Sequence, residues 1–522
     1  MKKYPNLLWI TGLALGWLFD LLFWKQGFGI NFALYSVCCL LAGFLVLSVS
    51  RQVPARGTLW LIPLILFFVA VTGLRAEPMT LFLAVVFTLS LMVILANTFL
   101  GGRWFRYGLA DYFSMFLNLA GSMLARPLSF GAELRRERAQ SPTPAKKLHV
   151  WPIVRGVVIA VPVVALFASL LASADAVFGN QLDILLRIFE IQNLPQYIFR
   201  LTYVLVAGYL LVGVILHAST QSRDEKLLGE NTPLLAALLG FTEAVIVLGC
   251  VAILFAAFVV VQFKYFFGGQ ANITIAGFTY AEYARRGFGE LVLVAFFSLL
   301  LILGLGALTR RENPTQRRIF SGLSCAIVVL VMIMLVSAYQ RLLLYEAAYG
   351  FSRLRTYTHV ALVWIGLLLA TVVVLEILHW ERRFALAALI ASLGFAASLA
   401  ALNVDALIVK ENVNRGVGLD VPYLASLSTD SVPALADAFQ SSSYPVPTHD
   451  AVGAVLYCRL KLNPPNSESD WRLFTISRWQ AETALKRVQA QLSGYHAMDD
   501  SLPAQILTPA GVDYDCYGSG IG

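Results

Sequence analysis

Long apolar runs alternate with short polar loops along most of the chain, at 6–24, 30–49, 58–74, 79–99, 153–173, 199–219, 235–262, 289–309, 319–338, 358–379 and 384–402. An α-helix needs about 20 apolar residues to cross the hydrocarbon core, and the core admits only segments that satisfy their own backbone amides. The pattern predicts an all-α fold, a polytopic transmembrane helix bundle of about eleven spans. One further segment, "GLADYFSMFLNLAGSMLA" at 108–125, is nearly long enough to cross. Its Asp111, Ser114, Asn118 and Ser122 recur at helical spacing, which predicts a helix lying in the membrane interface.

From about residue 403 the polarity becomes that of a small extramembrane lobe. "SRWQAETALKRVQAQLSG" carries Ile476, Trp479, Ala484, Leu485, Val488 and Leu492 at helical spacing and ends at Gly494, so it reads as an amphipathic helix. "STDSVPALADAF" opens with capping residues and a proline and reads as a second helix start. The expected organisation is a four-span bundle over 1–100, a basic cytoplasmic loop with the interfacial helix over 101–152, a seven-span core over 153–402 and a C-terminal extramembrane domain over 403–522.

Composition agrees: 58% of the 522 residues are hydrophobic and 13% charged, with a mean hydropathy of +0.72. The N-terminal "MKKYPNLLWITGLALGWLFDLLFW" starts like a signal peptide, but its apolar run passes any small-residue cleavage site, so it reads as an uncleaved first span. Within it, Gly12 and Gly16 form a small-xxx-small pair of the kind that admits a close helix neighbour.

A net charge of +8 raises nucleic acid as a partner. The basic residues lie in short loops rather than on one face, however, so the charge is better explained by membrane orientation. Lys and Arg fall with a roughly two-to-one excess on the side that holds the N-terminus, which makes that side cytoplasmic. An odd number of spans then puts the tail outside. Asp175, the "YAEYARRGF" loop, the 345–359 stretch and the tail share that outer side by parity. There Cys458 and Cys516 would meet an oxidising compartment and can pair. Cys38, Cys39, Cys250 and Cys325 lie in apolar runs and read as small buried hydrophobes.

Phosphate loop, zinc helix, CxxC and nucleophile elbow are absent, and the six histidines are scattered. No metal and no cofactor is therefore expected. The candidates are polar residues in costly places: Glu243 and Gln262 within an apolar run, and a second group comprising Tyr283, Arg285 and Arg286 beside Glu282 and Glu290. Glu243 reads equally well as a carboxyl near a helix start. In "YEAAYGFSRLRTYTH" and the turn before it, Arg341, Tyr345, Tyr349, Arg353 and Tyr357 are spaced by four. They form one stripe if the helix is continuous, with Arg355 and His359 as a second pair. Guanidinium forks suit phosphate or carboxylate; the same stripe can also pair with Glu282, Glu290 or Glu346 and lock loops together.

"EAVIVLGCVAILFAAFVVVQFKYFFGG", "TYAEYARRGF", "YGFSRLRTYTHVALVW" and "LSTDSVPALAD" resemble the recurring blocks of a bacterial family of polytopic membrane proteins catalogued as a domain of unknown function. The resemblance covers roughly residues 150–440 and implies a multi-pass protein of the bacterial cytoplasmic membrane. It brings no catalytic residues. Three readings follow: handling or transport of an anionic small molecule or lipid at the outer face; an envelope-lipid transferase with Glu243, Glu282, Glu290 or Asp175 as base; or a non-catalytic sensor or assembly factor. The first is preferred, with the bilayer and an anionic lipid or small anion as partners, nucleic acid excluded, and the oligomeric state not legible.

Overall fold

A computed structural model describes residues 3–140, 194–223, 238–267, 288–311, 313–416, 418–462, 470–498 and 505–516, with scattered positions from 156 to 175. The described residues are largely helical. Its membrane part holds α1 (Pro5–Phe23), α2 (Ile30–Val49), the short α3 (Arg56–Leu59), α4 (Leu61–Leu74), α5 (Pro78–Thr98), α6 (Leu109–Gln140), α7 (Leu194–Thr220), α8 (Phe241–Phe267), α9 (Phe288–Leu308), α10 (Pro314–Tyr349), α11 (Arg353–Ile377) and α12 (Phe384–Leu402). Among the described residues, ten helices are long and apolar enough to cross a membrane, α3 and α4 counting as one. The eleventh expected span, 153–173, falls mostly outside the described residues. All but the first residue of segment 108–125 belongs to α6, which is not among those ten.

The chain divides into two compact units. The first comprises 1–24, 42–52 and 119–219. In it the Gly12–Gly16 pair meets α7: a Cβ on Gly16 would lie 2.3 Å from the Val204 carbonyl oxygen, and one on Gly12 would lie 2.9 Å from that of Gly208. Only glycine permits so close a helix crossing. Nearby, the Arg200 guanidinium grips the buried Asp20 carboxylate through Nε at 2.9 Å and Nη2 at 2.5 Å. Tyr203 also donates to Asp20 and stacks on Trp24.

The second unit comprises 25–41, 53–118 and 220–522. Here α10 packs against α8, α9 and α11, while α12 joins α11 to α5. Leu248, Ala295, Phe320, Ile327, Val331, Leu342 and Leu369 form their core. Asn313 caps α10 with a Gln316 capping box and Pro314 in its first turn. At 36 residues α10 is roughly 54 Å long. It therefore overshoots the hydrocarbon thickness and carries Arg341, Tyr345 and Tyr349 on its last turns.

The lobe follows as α13 (Val404–Arg415), α14 (Val421–Ser426), α15 (Val432–Gln440), α16 (Val446–Leu462) and α17 (Ile476–Val488). Its separate core gathers Ile408, Leu424, Leu435, Val455, Leu456, Leu485 and Val488. Both helices expected in the tail are present, as α15 and α17. A small antiparallel sheet, β1 (His496–Ala497), β2 (Gln505–Leu507) and β3 (Asp513–Asp515), has no counterpart in the sequence reading. Its buried Ile506 sits opposite Ala497 on one side and Tyr514 on the other. A disulfide joins Cys458 of α16 to Cys516 just past β3.

Candidate functional site

The 341–357 stretch does not form one stripe. Gly350, at φ 77°, ends α10, and α11 begins at Arg353. That left-handed conformation is open to glycine, and a Cβ here would also lie 2.4 Å from Asn412 Oδ1. The five residues are thus divided between two helices. Arg341 donates to Gln262 Oε1 at 2.7 Å, and Ser337 donates to the same oxygen. Arg355 donates to the Tyr349 and Gly350 carbonyls and lies over the Tyr345 ring. His359 packs edge-on against Tyr339 and faces Glu346 at 3.2 Å. Glu243 sits in the first turn of α8, where its carboxylate accepts from the Gly240 amide. Tyr283, Arg285, Arg286 and Glu282 lie outside the described residues. Glu290 is in the first turn of α9, and Asp175 belongs to the first unit.

What the second unit does assemble is a buried ionic cluster where span ends meet the lobe. Arg353 forms a bidentate pair with Asp405, Nε to Oδ1 at 2.8 Å and Nη2 to Oδ2 at 2.6 Å. Asp405 is wholly buried and also accepts from the Ser428 amide. Glu77 caps α5 by accepting from the Met79 and Thr80 amides, and takes hydrogen bonds from the hydroxyls of Thr80 and Tyr357. Asp430 accepts from the amides of Ala76 and Glu77, both at 2.8 Å. Burial pushes the Asp430 carboxyl above the usual carboxylate range despite those bonds and the nearby Arg75. Every carboxylate in this cluster is occupied by internal donors.

Beside the cluster opens a pocket of about 340 Å³. Arg75, Arg459 and Arg478 line it against a single carboxylate, Glu482, and Phe28, Leu81, Val432, Leu473 and Leu485 supply an apolar wall. Arg75 is steered by the Ala400 carbonyl, to which its Nε donates at 3.0 Å. Arg478 pairs with Glu482 at 3.5 Å one turn along α17. Arg459 is only 8% exposed. Its Nη2 reaches the Ser428 carbonyl at a marginal 3.4 Å, and its Nε has no hydrogen-bond partner among the described residues. Desolvation lowers its pKa to about 10. A buried guanidinium left incompletely bonded is costly, and an anion in the pocket that Arg459 lines would offset that cost by its charge. A smaller pocket of about 190 Å³, which Arg355, Arg415, Asn412 and Tyr349 help to line, lies near Gly350.

Sequence reasoning named Arg353, Arg355 and Tyr357 but missed Arg75, Glu77, Asp405, Asp430, Arg459 and Arg478. The last two sit on lobe helices, where an arginine reads as an ordinary solvated residue. Arg75 and Glu77 stood out only as charges between two apolar runs. Among the described residues no three His, Cys, Asp or Glu side chains converge as a metal site requires.

No curated protein and no solved structure matches the chain. Residues 61–438, beginning well before the quoted blocks and covering most of the membrane part and the start of the lobe, match the family described as a domain of unknown function (DUF4153), and the chain belongs to that family.

Proposed function

We propose that this integral membrane protein binds an anionic group in the arginine-lined pocket beneath its C-terminal lobe, as part of handling an anionic small molecule or lipid at the outer face of a bacterial cytoplasmic membrane. Arg459 carries the reading: evolution tolerates a desolvated, incompletely bonded guanidinium where a ligand repays its cost. The carboxylates of the neighbouring cluster are committed to internal bonds, which favours binding over general-base chemistry there. The Cys458–Cys516 disulfide supports an oxidising, extracytoplasmic location for the lobe, in line with the loop charges. Span ends at 26–30, 75–77 and 350–353 all meet lobe residues, which fits the parity that places Arg75, Arg353 and the tail on one side.

The test is thermal unfolding of the full-length protein in detergent with inorganic phosphate or pyrophosphate as the probe. The wild type is expected to gain several degrees at saturating pyrophosphate. Arg459→Met should lose that gain while its own midpoint stays at or above the unliganded wild type, since the methionine removes a buried, incompletely bonded charge. Equal gains in wild type, Arg459→Met and Arg478→Gln would refute the pocket.

A further inference from the structure

The same pocket has a rim of a different character. Segment 470–474 lies on the loop that leads into α2: Gln26 donates to Asp470 at 2.9 Å, and the Ile30 amide donates to the Phe474 carbonyl at 3.0 Å. Gly29 approaches so closely that a Cβ there would lie 3.0 Å from the Leu473 backbone. Ile30 is the first residue of a helix long and apolar enough to span, so this part of the lobe is held at the level where that helix enters the membrane. At this level the segment exposes Trp471 and Phe474, the first turn of α17 that follows it exposes Ile476 and Trp479, and the loop exposes Phe28, which also lines the pocket. Exposed tryptophan and phenylalanine on an otherwise well-packed lobe are costly in water and favourable at the headgroup layer.

Within the pocket, the charged and apolar halves fit an amphiphile. Arg75, Arg459 and Arg478 offer guanidinium donors, and the first turn of α17 presents its N-terminal end, where Thr475 is the cap. The wall formed by Phe28, Leu81 and Leu473 has no use for a free inorganic anion, but it suits the glycerol and upper acyl carbons next to a lipid phosphate. We infer that residues 471–479 lie in the bilayer interface as the lip of this pocket, and that the pocket takes the phosphate-bearing headgroup of an anionic membrane lipid entering from the bilayer. The inference rests on the anion-binding reading above and names its ligand.

The experiment uses the full chain in nanodiscs of phosphatidylcholine alone or with phosphatidylglycerol, with the unfolding midpoint as readout and pyrophosphate in detergent as the parallel arm. Phosphatidylglycerol is expected to raise the midpoint of the wild type, with half-saturation at a lipid fraction at least tenfold lower than for Arg478→Gln. The double variant Trp471→Ser, Trp479→Ser should lose most of the lipid response yet keep the pyrophosphate response; Phe474→Ser serves the same purpose if the double variant folds poorly. A full pyrophosphate response with no gain from phosphatidylglycerol, or with a gain indifferent to the lip variants, overturns the lipid inference and leaves anion binding standing. Loss of both responses in the wild type overturns both.

Discussion

Arg353 and Arg459 flank the same buried junction, yet their chemistry differs because their partners differ. Arg353 gives two short bonds to one carboxylate and is spent on structure; Arg459 is left incompletely bonded and lines a cavity. Removing Asp405 would leave Arg353 without its bidentate partner and with only Glu77, at 4.0 Å, as counter-ion, so Asp405→Ala is expected to cost about 3 kcal/mol, read as a lower unfolding midpoint. The double variant Asp405→Leu, Arg353→Met should recover most of that loss, because the penalty comes from a stranded charge. The two arginines look alike in sequence: Arg353 stood out only through its apolar surroundings, and Arg459 had no such contrast. Their difference lies in whether the fold brings a carboxylate within bonding reach.

At the scale of elements, small residues decide where helices stop or touch. The four-residue spacing from Arg341 to Tyr357 was legible, but the positive φ of Gly350 breaks it, and turns a predicted face into a helix–turn–helix corner. The Gly12–Gly16 pair was legible too, and the structure supplies its partner: Gly208, with the neighbouring turns of α7. Gly16→Leu would drive a side chain into the Val204 carbonyl and should lower the unfolding midpoint and expose the first unit to limited proteolysis, whereas Gly43→Leu, where a Cβ meets nothing within 4 Å, should be neutral. In the lobe, the disulfide closes a stretch of 58 residues. By loop-closure entropy that constraint is worth on the order of 4 kcal/mol. Cys458→Ser with Cys516→Ser, or a reductant, is therefore expected to destabilise the lobe and leave the membrane helices folded, as separate transitions in calorimetry would show.

For the whole molecule, the loop charges and the lobe's contacts bear on the same question of sides. A cysteine placed at the exposed Ser442 is expected to react with a membrane-impermeant maleimide in intact cells, and one at Arg317, in the first turn of α10, only after the membrane is opened; the reverse pattern would place the lobe in the cytoplasm. Apolar length, loop charge and helical periodicity are local properties, which is why the sequence by itself determined the multi-pass helical class, most span positions, the tail helices and the family. The pocket depends on residues 28, 75, 459 and 478 meeting across hundreds of positions, and the ionic cluster likewise joins 77, 353, 405 and 430. Only the tertiary structure decided those meetings, because ion pairing and burial depend on distance in space, and no periodicity along the chain records it.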